Sequence, residues 1–324
     1  MRILIVSQMW PGPDDPDLGI FVKDIATHLE ALGHEVDHAA ITHRGGGPAK
    51  HVRLARDAVR TARATRPDVV FAHFLFPAGA AALAAARAVG VPLVVMAHGQ
   101  DVANLARRPI RIATAPVLRG AAAVIANSRW LADRIPGGAD AIIDCGVDTE
   151  LFAPRPRPPG AGPRFLCIGS LIERKNVVAL ADAFAELGEG ELTFVGDGPL
   201  RGVLEGRPGV VLAGRVPHGE VPDWIARCDV LCQPSLTEAF GQAALEAMAM
   251  ARSVVATTEG GPPEFVTPQV GVLVRPGDQA ALVAALRSAA ALGTPNPAAR
   301  AAAQEHDLRR QVGRMADVLQ AALG

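Results

Sequence analysis

Two glutamates eight positions apart, Glu238 and Glu246, frame the segment Glu-Ala-Phe-Gly-Gln-Ala-Ala-Leu-Glu. On one helix such a pair lies about 80° apart around the axis and two turns apart along it. With Glu238 before a helix and Glu246 inside it, the two carboxylates could hold different parts of one long ligand. Phe240, Gly241 and Gln242 would then form the helix start, where free N–H groups and the positive dipole end point at an anion. The order is carboxylate, phosphate-binding helix start, carboxylate. Spacing alone is weak, since any surface helix can carry two glutamates.

Other residues add chemistry of the same kind. Lys175, with Arg174 beside it, follows Gly169 and Ser170, and Gly196-Asp197-Gly198-Pro199 comes shortly after. Glycines permit close backbone approach, Lys supplies a point charge, and Glu accepts from diol hydroxyls, a set suited to a diphosphate and a ribose. His98 follows an apolar run and precedes Gly99, so a substrate could come close to an imidazole that donates, accepts or titrates near neutrality. Its alternative is a loop histidine bonded to a backbone carbonyl. His73 reads as structural by the same reasoning. Arg53, Arg56, Arg60 and Arg63 share one helix face by their 3, 4, 3 spacing. That face is either simply solvated or a basic surface for anionic lipid heads or an anionic acceptor.

These groups need elements to hold them. An apolar strand at Arg2–Ser7 opens an alternation of strands and helices that runs to about Arg134, as a doubly wound parallel sheet requires. Ligands of such sheets gather at the carboxyl ends of the strands. The loops there are Pro11 to Gly19, His73 to Pro77, His98 to Asp101, and Asn127-Ser128. Gly12 and Gly19 stand too far apart for a Gly-x-Gly-x-x-Gly turn, which disfavours a nicotinamide-binding half, and no Gly-x4-Gly-Lys-Ser/Thr marks a P-loop. Residues 153–163 are rich in proline, which neither joins a sheet nor sustains a helix, and read as a linker. A second strand–helix series follows, placing the Glu238 segment after a strand at 229–233. The final helices are expected at about 278–292 and 297–323.

Bulk composition agrees with two domains. The chain has 324 residues, 49% hydrophobic and 20% charged, with a net charge of −1, so no global field favours nucleic acid. No apolar run reaches membrane-spanning length, and the first one, ending by Ser7-Gln8, is too short for a signal segment. Cys145, Cys167, Cys228 and Cys232 form no CxxC pair and read as small buried residues, consistent with a reducing cytoplasm.

The ordered set Gly19-Ile20-Phe21-Val22, His73-Phe74, His98-Gly99-Gln100-Asp101, Asn127-Ser128, Ile143 to Asp148, Lys175-Asn176, Gly196 to Pro199, Glu238 to Glu246 and Gly260 to Glu264 resembles glycosyltransferase family 4, retaining enzymes of the GT-B fold. Each piece is common, and their joint order over nearly the whole chain is specific. The resemblance implies an α/β protein of two Rossmann-like βαβ domains facing across a cleft. They would be an acceptor-binding domain at 1–152 and a nucleotide-sugar-binding domain at 164–300, closing about 153–163. Residues 301–324 would form a helix returning to the first domain.

It also implies roles. Lys175 would contact the donor diphosphate, and Glu238 the hydroxyls of the sugar. The amides of Phe240, Gly241 and Gln242 would hold sugar and phosphate, Glu246 the ribose diol. Val216 would lie beside the base. His98 would face the transferred bond, and Gly19 would let the first loop approach the diphosphate. Ser170 departs from the family, which usually has Arg there, so charge rests on Lys175 alone or Arg174 compensates. The reaction expected is transfer of a hexosyl group from a uridine or, as the alternative, guanosine diphosphate sugar, without cofactor or metal. The acceptor is an unidentified lipid-linked or anionic glycan or small molecule. The protein would be cytoplasmic, with peripheral contact at the inner membrane face if the arginine helix is a lipid surface. Competing readings are a sugar-nucleotide epimerase of related fold and a catalytically silent nucleotide-sugar-binding protein.

Overall fold

The computed structural model describes residues 1–160 and 162–324, which fall into two units: Met1–Cys145 with Leu308–Gly324, and Gly146–Asp307.

In the first unit the elements are β1 (Arg2–Ser7), α1 (Ile20–Ala31), β2 (Glu35–Ala40), α2 (Ala49–Thr65), β3 (Val69–His73), α3 (Ala78–Val89), β4 (Leu93–Ala97), α4 (Gln100–Ala103), α5 (Arg108–Gly120), β5 (Ala123–Ala126), α6 (Arg129–Ala132) and β6 (Ala141–Ile142). The six strands form one parallel sheet in the order β2-β1-β3-β4-β5-β6. Ile3, Leu4, Ile5 and Val6 are all fully buried, as a strand covered by helices on both faces must be. One apolar layer joins the sheet to α2, α3 and α5 through Leu54, Ala58, Leu83 and Val117. The other joins it to α1 through Ile25 and Leu29, and to the last helix of the chain through Val312 and Met315.

The second unit runs β7 (Arg164–Ile168), α7 (Val177–Leu187), β8 (Glu191–Val195), α8 (Arg201–Leu204), β9 (Val210–Gly214), α9 (Val221–Arg227), β10 (Val230–Gln233), α10 (Gln242–Ala249), β11 (Ser253–Thr257), β12 (Gly271–Val274), α11 (Gln279–Ala291) and α12 (Pro297–Gln304). Its parallel sheet has the order β12-β11-β10-β7-β8-β9. Renumbered from its own first strand, that is the doubly wound order 3-2-1-4-5-6. The strand order reverses between β7 and β10, so the carboxyl ends of those two strands mark the ligand crevice of this unit.

Two expectations about boundaries are corrected. The chain passes between units at Cys145/Gly146, and residues 153–160, 162 and 163 belong to the second unit. Ala161 within that stretch lies outside the described residues. Buried Arg252 donates to the carbonyls of Arg155, Ile225 and Ala226, and Arg157 pairs with Asp229 at 2.8 Å. These contacts fasten Arg155 and Arg157 to the unit. The expected single helix at 297–323 is two, α12 and α13 (Leu308–Ala321). Between them Val147 N–H donates to His306 O, and Val147 bridges Asp307 as a short strand pair. That pairing straightens the backbone and ends α12. Only α13 belongs to the first unit.

Candidate functional site

In the second unit, the loops after β7 and β10 are laced together at the strand-order reversal. The loop after β7 makes one 3-10 turn, Glu173–Lys175, closed by Asn176 at φ 56. Leu236 N–H donates to Arg174 O at 2.8 Å, Asn176 Nδ2 to Pro234 O at 3.1 Å, and Arg174 Nη1 to Thr237 O at 3.1 Å. Arg174 is thus turned toward the neighbouring loop's backbone. Lys175 emerges beside it, and its Nζ lies 2.5 Å from Glu238 Oε2.

Glu238 is 9% exposed, and the same Oε2 also accepts from Gln233 Nε2 at 3.1 Å and Ser235 Oγ at 3.2 Å. Three donors on one carboxylate oxygen fix its position. The backbone is fixed as well. Glu238 forms a parallel bridge with Gly260, accepting from Gly261 N–H and donating to Glu259 O, each at 2.9 Å. Gly260 has φ +132, and a Cβ there would sit 1.7 Å from Glu238 O, so only glycine lets the two backbones meet.

Three residues on, Gly241 adopts φ 113 and starts α10 without any side-chain cap. The first-turn N–H groups of α10 therefore retain their capacity for an anion. The ring of Phe240 is buried against Phe265 and His306, leaving its backbone as the available part. The Gln242 side chain donates to Gly146 O at 2.7 Å, so its contribution to a ligand is likewise through the backbone. Gln233 Oε1 is buried without a hydrogen-bond partner, 3.4 Å from where a Gly241 Cβ would lie.

Glu246 sits inside α10 and is 8% exposed. Its Oε1 lies 3.8 Å from Nε2 of His218, whose ring meets Phe152 edge-on at 5.8 Å. His218 follows the half-buried Val216 in the loop after β9. The unit thus assembles Lys175, Glu238, the α10 start, Glu246 and Val216 from the ends of β7, β9 and β10. It adds Gln233, Ser235 and His218, which sequence reasoning did not single out. Gln233 and Ser235 donate to Glu238 from five and three residues before it, His218 faces Glu246 from the loop after β9, and no motif marks any of the three.

In the first unit, His98 follows β4 directly. Its Nε2 is 3.0 Å from His73 Nδ1, and its Nδ1 is 3.6 Å from Cys145 Sγ. The rings of Phe74 and Phe21 stand at 4.6 and 5.0 Å. Burial in this aromatic nest pushes His98 down to about 3 and His73 well below its ordinary value, so both are neutral near pH 7. Asp101 organises the loop: its carboxylate accepts from the N–H groups of Leu75, His98 and Gly99 at 2.9, 3.1 and 2.8 Å. Burial raises the Asp101 carboxyl, opposed by those hydrogen bonds. Asn127 Nδ2 donates to His98 O at 3.1 Å, and Ser128 caps α6 through Leu131 N–H. Gly19 starts α1 at φ 67, against the Met9 backbone. Among the described residues, no group of three or more His, Cys, Asp and Glu is placed to hold a metal ion.

The model of Glycosyltransferase Family 4 matches residues 18–151, and that of Glycosyl transferases group 1 matches residues 162–291. The chain is 30% identical to the putative colanic acid biosynthesis glycosyltransferase WcaL of Escherichia coli, over 86% of this chain and 76% of WcaL. It is 26% identical to the putative teichuronic acid biosynthesis glycosyltransferase TuaC of Bacillus subtilis, over 88% of each. Among solved structures, Anabaena HepE in complex with UDP-glucose superposes with a TM-score of 0.74 at 22% identity, covering 99% of this chain and 100% of that one.

Proposed function

We propose that this chain, which belongs to glycosyltransferase family 4 and has the GT-B fold, transfers a hexosyl group from a uridine diphosphate sugar to an acceptor hydroxyl, with retention at the anomeric carbon. One observation carries the reading. At the strand-order reversal of the second unit, a cation, a carboxylate, an uncapped helix start and a second carboxylate follow one another at Lys175, Glu238, Gly241 and Glu246. They suit, in order, a diphosphate, a sugar hydroxyl, a phosphate and a ribose diol. Uridine is favoured because HepE, which shares the fold, was solved with UDP-glucose; a guanosine nucleotide is the alternative.

Donor binding exchanges partners within this cluster. The diphosphate draws Lys175 away from Glu238 and lies against the N–H groups of Gly241 and Gln242. Glu238, still held by Gln233 and Ser235, then accepts from hydroxyls of the sugar. As the bond from the anomeric carbon to the diphosphate oxygen breaks, negative charge grows on the leaving phosphate, and Lys175 and the α10 start stabilise it. With positive charge supplied in this way, the reaction proceeds without a metal ion. The acceptor oxygen forms the new bond on the same face, and its proton goes to the leaving phosphate oxygen. His98 is neutral, with both ring nitrogens facing His73 and Cys145, so it shapes the acceptor-binding unit and is not the base. The acceptor is a glycan hydroxyl, a reading supported by the colanic acid and teichuronic acid biosynthesis in the names of WcaL and TuaC.

The test is incubation of UDP-hexoses with a panel of glycan acceptors. The result expected is UDP release that depends on acceptor, unaffected by EDTA, with a product of unchanged anomeric configuration by proton NMR. Turnover of donor without acceptor would favour an epimerase. Tight UDP binding with no release across the panel would favour a silent binding protein.

A further inference from the structure

The donor reading leaves one face of the first unit unused. Helices α2, α3 and α5 cover the same side of its sheet, packed on a shared apolar layer. Their outer surfaces carry Arg53, Arg56, Arg60 and Arg63 on α2, Arg87 on α3, and Arg111 and Arg119 on α5, with Arg107 and Arg108 at the α5 start; all of them are exposed. The only acid within the three helices is Asp57, which pairs with Arg60 at 2.9 Å. The chain as a whole has a net charge of −1, so this concentration of cations is local, not a consequence of composition.

Apolar groups stand among these cations. Ile112 is 62% exposed beside Arg108 and Arg111, and Val52 is 54% exposed beside Arg53 and Arg56. An open groove of about 520 Å³ between α2 and α3 is lined by Val52, Val59 and Ala84 between Arg56, Arg60 and Arg63. A face built only for solvation would carry mixed charges and few large apolar side chains. A face built for a soluble polyanion would not expose Ile112 and Val52.

We infer that the α2–α3–α5 face docks the protein on an anionic phospholipid bilayer. The arginines meet headgroup phosphates, while Val52 and Ile112 enter the boundary with the acyl chains. Charge complementarity commits the face to that occupant. The arginines lie on three separate helices, which fits a spread of headgroups better than one small anion. No helix among the described residues is long and apolar enough to cross a membrane.

The inference is independent of the donor site, and its test keeps the two apart. The purified protein is mixed at 0.1 M salt with sedimenting vesicles of phosphatidylcholine alone, or of phosphatidylcholine with an equal part of phosphatidylglycerol. Wild type should pellet only with the anionic vesicles, and 0.5 M salt should release it. Each arginine contributes about fivefold to partitioning. The triple variant Arg56→Glu/Arg60→Glu/Arg63→Glu should therefore lose more than about 100-fold. Ile112→Asp should lose about fivefold, from a position with no charge to reverse. Both variants should retain wild-type circular dichroism and wild-type affinity for UDP by calorimetry, showing that they fold. Equal pelleting of wild type and the triple variant would overturn the inference. So would failure of wild type to pellet with anionic vesicles, or complete competition by millimolar glycerol phosphate, which would mark a small-anion site.

Discussion

Lys175 and Glu238 make a nearly buried ion pair, with side chains 16% and 12% exposed and 2.5 Å between Nζ and Oε2. Replacing Lys175 with Met keeps most of the volume and leaves a buried carboxylate without its cation. Breaking such a pair costs about 3–5 kcal/mol, because one charge remains uncompensated. Gln233 and Ser235 still donate to Glu238 Oε2, so the loss should fall at the low end, about 3 kcal/mol. The double variant Lys175→Met/Glu238→Gln removes both charges, and most of that loss should return. UDP binding behaves differently. With Lys175 assigned to the diphosphate as proposed above, the single variant should bind about 30-fold more weakly, the value of a charged hydrogen bond, and the double variant should recover nothing. The chain has three Trp and no Tyr, and Trp224 in α9 is the one in the second unit. In a Trp10→Phe/Trp130→Phe background, urea unfolding followed by fluorescence therefore reports that unit alone, with calorimetry for UDP. A single variant less than about 0.5 kcal/mol below wild type would refute the assignment of this pair. So would a double variant no more stable than the single.

Other predictions follow from the same geometry. His98 is held down to about 3, while the unfolded chain takes up its proton below about pH 6.5, so stability is full above 6.5 and falls as pH drops toward 3. At pH 5 His98 alone should cost about 2 kcal/mol, and His73 adds in the same direction; urea midpoints at pH 7.5 and 5 measure the sum, and His98→Phe should reduce the difference while the His73 part remains. Gly260→Ala should destabilise the second unit by more than about 3 kcal/mol and abolish UDP binding, because a Cβ 1.7 Å from Glu238 O forces the two backbones apart; a soluble variant with wild-type unfolding would contradict this. Asp101→Asn should loosen the loops of Leu75, His98 and Gly99, seen as faster amide exchange there with UDP affinity unchanged.

Much of the fold was legible because it is local. Apolar runs such as Ile3 to Val6, bounded by polar loops, could only be strands of a parallel sheet covered on both faces. The Glu238 segment could be placed as strand, loop and helix for the same reason. The ligand crevice was not fully legible, since it depends on β10 lying beside β7, a pairing across more than sixty residues of chain. The proline stretch misled because its local signature, extended backbone without partners, is common to a free linker and to a strap fixed from afar. Arg252, which fixes it, lies 97 residues from Arg155. The break before α13 was hidden for a like reason: Val147, which straightens 306–307, is remote in sequence. His218, Gln233 and Ser235 carry no motif, and only their proximity to the two glutamates gives them a role.

Titration of UDP by calorimetry into wild type and Glu246→Ala tests the donor site most directly. Glu246 makes no side-chain hydrogen bond like those that fix Glu238, and His218 stands 3.8 Å away, so the variant should fold normally. Wild type should bind UDP, and the variant should bind at least about tenfold more weakly, the loss of the ribose hydrogen bonds. Equal affinity in the two proteins, or no binding of any nucleoside diphosphate to wild type, would contradict the account.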